Sequence, residues 1–129
     1  MLLKMQKRAI RIITCSEYNA HTDPIFDDLK FLKFESIIEL EALKYMFKVV
    51  NKLLPLPLLN QFIMNTEIHD HHTRQSCDIH MTKVSKTVTH NSIMFQGPNL
   101  WSQLNDTLKI TMSFESFKYK LKQDLLSSQ

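Results

Sequence analysis

Three groups of side chains in this sequence have types and spacings that could do chemistry. His69, His71 and His72, followed by Cys77-Asp78-Ile79-His80 and then His90, bring imidazoles and a thiolate together, the donors that zinc prefers. Cys77 and His80 even have the two-residue spacer of a ligand pair. A structural zinc site, however, joins two such pairs, and one cysteine in a polar stretch is a poor second half. The expectation is therefore histidines in a polar hairpin with no metal and no cofactor; His69, His72, Cys77 and His80 are the set a zinc ion would take. Lys4, Lys7, Arg8 and Arg11 form the second group, a row of cations able to line phosphates. The third is the inventory of Asp, His and Ser that a hydrolase uses. No nucleophile-elbow pattern accompanies it, and a single glycine in the chain argues against phosphate-cradling loops and oxyanion turns. No catalytic residue is assigned.

The 129 residues, 43% of them hydrophobic, suffice for one modest core and not for two ordinary domains. A net charge of +3 permits nucleic-acid binding without demanding it. Its distribution says more. Residues 1–20 sum to +3, residues 21–70 to −3 and residues 71–129 to +3, so the ends are basic and the middle acidic. Two cysteines make no disulfide framework, and nothing resembles a secretory leader, which points to an intracellular protein, cytoplasmic or nuclear. The apolar stretches around 37–50 and 53–59 are broken by charges or prolines before the roughly 20 residues of a membrane span. Neither a membrane nor a small-molecule substrate is an expected partner.

The basic row needs a helix to hold it. Residues 2–14 place Leu2, Met5, Ala9 and Ile12 on one stripe and Lys4, Arg8 and Arg11 on another, a basic amphipathic helix. No N-cap precedes it, so the chain reads as beginning inside a helix. Asp23-Pro24 signals a second helix, through about Leu32, with the Asp23 carboxylate as its cap. Ser36 and Glu39 have capping-box spacing before a core helix carrying Ile37, Leu40, Leu43, Phe47 and Val50, widened by Met46 and Val49. Pro55 and Pro57 end it, and Leu58 to Met64 form a short helix. From Thr66 to Asn91 helical periodicity disappears, and Ile79, Met81 and Val84 suggest a strand or hairpin within residues 74–95. Gly97-Pro98 punctuates before a helical turn or two to Leu104. Ser113 caps a last helix with Phe114, Phe117, Leu121 and Leu125 on one face. The fold class is mainly α, formally α+β, with about five helices around Leu40, Leu43, Phe47, Trp101, Phe117 and Leu121.

Gly97-Pro98-Asn99-Leu100-Trp101-Ser102-Gln103-Leu104 holds the only glycine and the only tryptophan. It resembles the Gly-Pro-x-Leu-Trp-Asn-x-Leu signature that follows the reverse transcriptase domain in LINE-type (non-LTR), jockey-like retrotransposon polyproteins. Other blocks of that family appear in the right order. Residues Lys4 to Thr14 are similar to the block that closes the polymerase thumb, and His21-Thr22-Asp23-Pro24-Ile25-Phe26 to a following one. His69, Thr73 and Arg74 match a His-x-x-x-Thr-Arg pattern, and Phe117-Lys118, Leu121-Lys122 and Leu125-Leu126 match the closing helix. Asn105 replaces the family's proline, and Cys15 stands where a glycine is frequent.

The resemblance implies that residues 1–20 end a thumb-like basic helix and that 21–129 are a post-polymerase C-terminal domain. The intact polyprotein would carry an endonuclease and an RNA-directed DNA polymerase. This piece would contact RNA or DNA during target-primed reverse transcription, through Lys4, Lys7, Arg8 and Arg11, extended by Arg74, Lys83 and Lys86, with Tyr18 available to stack on a base. Polymerase chemistry needs paired carboxylates around two metal ions. Asp27-Asp28 follow Ile25-Phe26, which puts the aromatic one place too late for the family's motif, so the chain on its own is not expected to be an enzyme. Two alternatives stand beside this reading: a helical interaction fragment that packs against the polymerase portion this chain lacks, and a genomic relic with no selected function.

Overall fold

The computed structural model describes residues 1–68, 78–81 and 91–128. Among them run eight helices: α1 (Leu2–Ile13), α2 (Asp23–Asp28), α3 (Phe34–Val50), α4 (Leu56–Leu59), α5 (Asn65–Ile68), α6 (Ile93–Gln103), α7 (Asp106–Lys109) and α8 (Phe114–Ser127). The architecture is mainly α, as its hydrophobic periodicity predicts, with more and shorter helices than the five expected.

α3 is the trunk. Ala42, Leu43, Met46, Phe47 and Val49 are all buried, an arc of roughly 160° at 100° per residue, wider than one neighbour can cover. α6, α8 and α1 all pack against it, and α7 packs on α8. The Phe47 and Phe117 rings stack at 4.5 Å between centroids, and Trp101 lies 6.0 Å from Phe117. Of the expected core, Leu43, Phe47, Trp101, Phe117 and Leu121 are buried, and Leu40 is half-buried against that cluster. Ile37, expected on the same stripe, is exposed.

Several expected boundaries need correction. α3 opens at Phe34 with Lys33 at its N-cap and no side-chain cap, so Ser36 and Glu39 sit inside the first turns and make no capping box. α2 stops at Asp28, short of Leu32, and its N-cap is Thr22. Asp23 does not cap the helix; its carboxylate meets the Lys33 ammonium at 3.0 Å and tethers the start of α2 to that of α3. The predicted helix from Leu58 to Met64 is instead α4, closing at Leu59. Gly97-Pro98 does not break the chain either. Both lie buried inside α6, which is capped by Ser92, whose hydroxyl accepts from the Met94 amide.

The glycine is required by close approach. A Cβ built on Gly97 would overlap the Met46 sulfur and lie 3.1 Å from its Cγ, so only a bare backbone lets α6 settle on α3. The left-handed turns go to other residues. Cys15, Lys30 and Lys52 have φ of 51°, 52° and 55°, each just past the C-cap of α1, α2 and α3. Beyond them Ser16, Phe31 and Leu53 return amide hydrogen bonds to Arg11, Phe26 and Lys48 at 2.9, 3.0 and 2.8 Å, the six-to-one closure of a Schellman motif.

Residues 74–77 and 82–90 of the expected hairpin region lie outside the described residues; the described ones contain a single antiparallel bridge, between Met64 and Ile79. The Asn65 amide donates to the Asp78 carbonyl at 3.0 Å and the His80 amide to Ile63 at 2.7 Å. Ile79 therefore pairs with a residue well before the 74–95 region, which periodicity within that region could not reveal. Val84 lies outside the described residues. Among the described residues no helix is long and apolar enough to cross a membrane.

Candidate nucleic-acid interface

α1 carries the basic row and has three faces. Leu3, Gln6 and Ile10 turn inward, with Ile10 only 3% exposed. Two long side chains fasten the helix: the Gln6 amide donates to the Leu32 carbonyl at 2.8 Å and Arg11 Nε donates to the Ala20 carbonyl at 3.0 Å. The Thr14 hydroxyl donates to the Ile10 carbonyl at 2.9 Å and closes the helix end. A second face carries Lys4 and Arg8, one turn apart and both exposed. The third is the apolar stripe read from the sequence, and it is exposed. Leu2, Met5, Ala9 and Ile12 face away from the core, where a stripe selected for burial would have been covered.

The four cations are therefore not equivalent. Arg11 is half-buried and committed to Ala20. Lys7, also half-buried, adds its field to Asp23. That carboxyl is held below its usual range chiefly by the hydrogen bond from Lys33, opposed by desolvation, with further help from the charges of Lys33, Lys7 and His21. Lys4 and Arg8 have no ion-pair partner among the described residues. No acidic residue lies within α1 to neutralise them.

Compared with protein-family models, curated proteins and solved structures, the chain matches none of them.

Arg74, Lys83 and Lys86 lie outside the described residues, as do His69, His72 and Cys77. His80 is half-buried, and its Nδ1 is 3.3 Å from the Asn65 side-chain oxygen. Among the described residues no three His, Cys, Asp or Glu side chains gather to hold a metal ion. Asp27 and Asp28 are exposed at the end of α2. Tyr18 is 83% exposed just beyond α1, open to a stacking partner, whereas Trp101 is a core residue.

One feature escaped the sequence reading. Lys30 and Lys122, distant in the chain, line a groove of about 310 Å³ together with Gln6 of α1. Only tertiary packing brings them to the same side of the molecule, and neither position carries a local signal. A second groove of about 410 Å³, between the end of α3 and α4, is lined by Val49, Leu56, Leu59 and Phe62. Its lining is mostly apolar, with Lys52, Asn60 and Glu67 as its polar members.

Proposed function

We propose that this chain is the C-terminal part of a LINE-type retrotransposon reverse transcriptase polyprotein, a non-catalytic helical unit that contacts RNA or DNA beside the polymerase portion during target-primed reverse transcription. The observation that carries the contact is the pair Lys4 and Arg8, exposed one turn apart on a helix with no acidic residue. Such a pair binds phosphates through charge, which supplies affinity and no sequence information. Tyr18, standing free at the end of the same helix, offers a face to an unpaired base. The family part of the reading rests on the ordered blocks from Lys4 to Leu126.

Binding to labelled single-stranded RNA and duplex DNA across a salt series tests it. Two principal phosphate contacts predict a slope of log K against log salt of about −2 on duplex DNA. Lys4→Ala with Arg8→Ala should abolish most of the binding and flatten the slope. Arg11→Ala should act mainly by loosening the tie to Ala20. A folded chain that binds neither nucleic acid at low salt would sink the proposal.

A further inference from the structure

α1 exposes an apolar row that the nucleic-acid reading does not use. Leu2, Met5, Ala9 and Ile12 advance by three, four and three residues, the spacing by which one helix packs along another. Leu2, Met5 and Ile12 are 55%, 58% and 69% exposed, and Ile13 beside them 68%. Isolated exposed apolar residues are ordinary, but a continuous row of them is a mark of a contact surface. The row covers about 15 Å of helix axis. Ala9 stands in the middle, where a small side chain lets a second helix come close.

Charge decides what can lie there. Arg8 borders the row on one side. On the other, Gln6 follows Leu2 by one turn and opens on the groove whose rim carries Lys30 and Lys122. The row is thus flanked by cations, and no acid lies on α1. Two copies packed row to row would set cation against cation, which disfavours self-association. A lipid surface is served by a broad face with aromatic anchors, whereas this row is narrow and has alanine at its centre.

We propose that the row seats an amphipathic, acidic helix of a partner protein. Its apolar residues lie along Leu2, Met5, Ala9 and Ile12. Its Asp or Glu flanks meet Arg8 on one side and Lys30 and Lys122 on the other. The contact differs from the nucleic-acid reading in its apolar row, which that reading leaves bare; the two share only Arg8.

Two synthetic helical peptides with leucine at the three-four spacing test it, one flanked by glutamate and the other by lysine, each titrated into the isotopically labelled full chain at low salt. The acidic peptide should bind one to one and shift the amide signals of α1, and the basic peptide should not bind. Met5→Gln with Ile12→Gln should weaken the acidic peptide by about tenfold or more. Leu56→Gln, a control at an apolar position 72% exposed on α4, should leave its affinity unchanged. RNA binding should survive in the Met5 and Ile12 variant, so failure of one proposal is distinguishable from failure of the other. The inference is overturned if the folded chain ignores the acidic peptide, binds both peptides alike, or binds equally well with Met5 and Ile12 replaced. It is also overturned if those two replacements instead abolish dimerisation in sedimentation, or binding to phosphatidylserine vesicles.

Discussion

α1 and α8 are built from the same materials and meet opposite fates. Both set apolar residues at three- and four-residue intervals beside lysines or arginines. In α8 the apolar row Phe117, Leu121 and Leu125 is buried against α3, and Lys118 reaches Glu115 at 2.7 Å. In α1 the apolar row is the exposed one, and the core side is a mixture of Leu3, Gln6 and Ile10, fastened by two side-chain hydrogen bonds to backbone carbonyls. Amphipathic period thus reveals that a helix has an apolar side without saying which body covers it. Where α8 is held by area removed from water, α1 is held by one isoleucine and directional polar contacts.

The largest test of that contrast is truncation. Phe117→Ala on α8 should cost about 3–5 kcal/mol, whereas Ile12→Ala on α1 should stay within about 0.5 kcal/mol; urea unfolding of both variants compares them directly. Equal losses would mean that the α1 row is covered after all. Next in size, Gly97→Ala should destabilise by about 1–3 kcal/mol through overpacking against Met46, read in the same unfolding experiment. Smaller and of opposite sign, Cys15→Gly, at the end of α1, should stabilise by up to about 1 kcal/mol by relieving a left-handed residue that has a Cβ. A rise in melting temperature checks it, and Lys52→Gly at the end of α3 should behave alike.

The smallest effect is electrostatic. Because the Asp23 carboxyl is lowered in the folded chain, its contribution to stability is present above its ordinary value of 3.8 and is lost as pH falls through the lowered one. Lys33→Gln should raise the Asp23 titration midpoint, followed by carboxyl carbon shifts, and bring the onset of that loss to higher pH. An unchanged midpoint would remove Lys33 as its main cause.

The parts of the fold legible in the sequence are those where one side of a helix is uniformly apolar and long. α3 and α8 could be placed because Leu43, Phe47, Phe117 and Leu121 leave no competing face. α1 was legible as a basic amphipathic helix, but its buried side was not, because a glutamine does part of the work there. The α6 helix was concealed by Gly97-Pro98, a pair that usually stops a helix and here serves a close crossing. The candidate interface was legible as composition, yet which of its four cations stand out depended on tertiary packing, which half-buries Lys7 and Arg11 and ties Arg11 to Ala20. That burial and that tie leave no periodic trace. The gathering of Lys30 and Lys122 beside α1 belongs to the same class of fact.

The fit between Gly97 and Met46 also bears on how the protein ages. Met46 is fully buried, while Met1, Met5 and Met112 are 96%, 58% and 99% exposed, so an oxidant reaches these three before Met46 and converts them to sulfoxides with little structural consequence. Oxidation of Met46 requires α6 to lift from α3. Once made, its sulfoxide adds a polar oxygen to the sulfur against which even a methyl group on Gly97 would not fit, and the helices could not close again over it. Damage at this one sulfur would convert a transient opening into a permanent one, reversible only by enzymatic reduction.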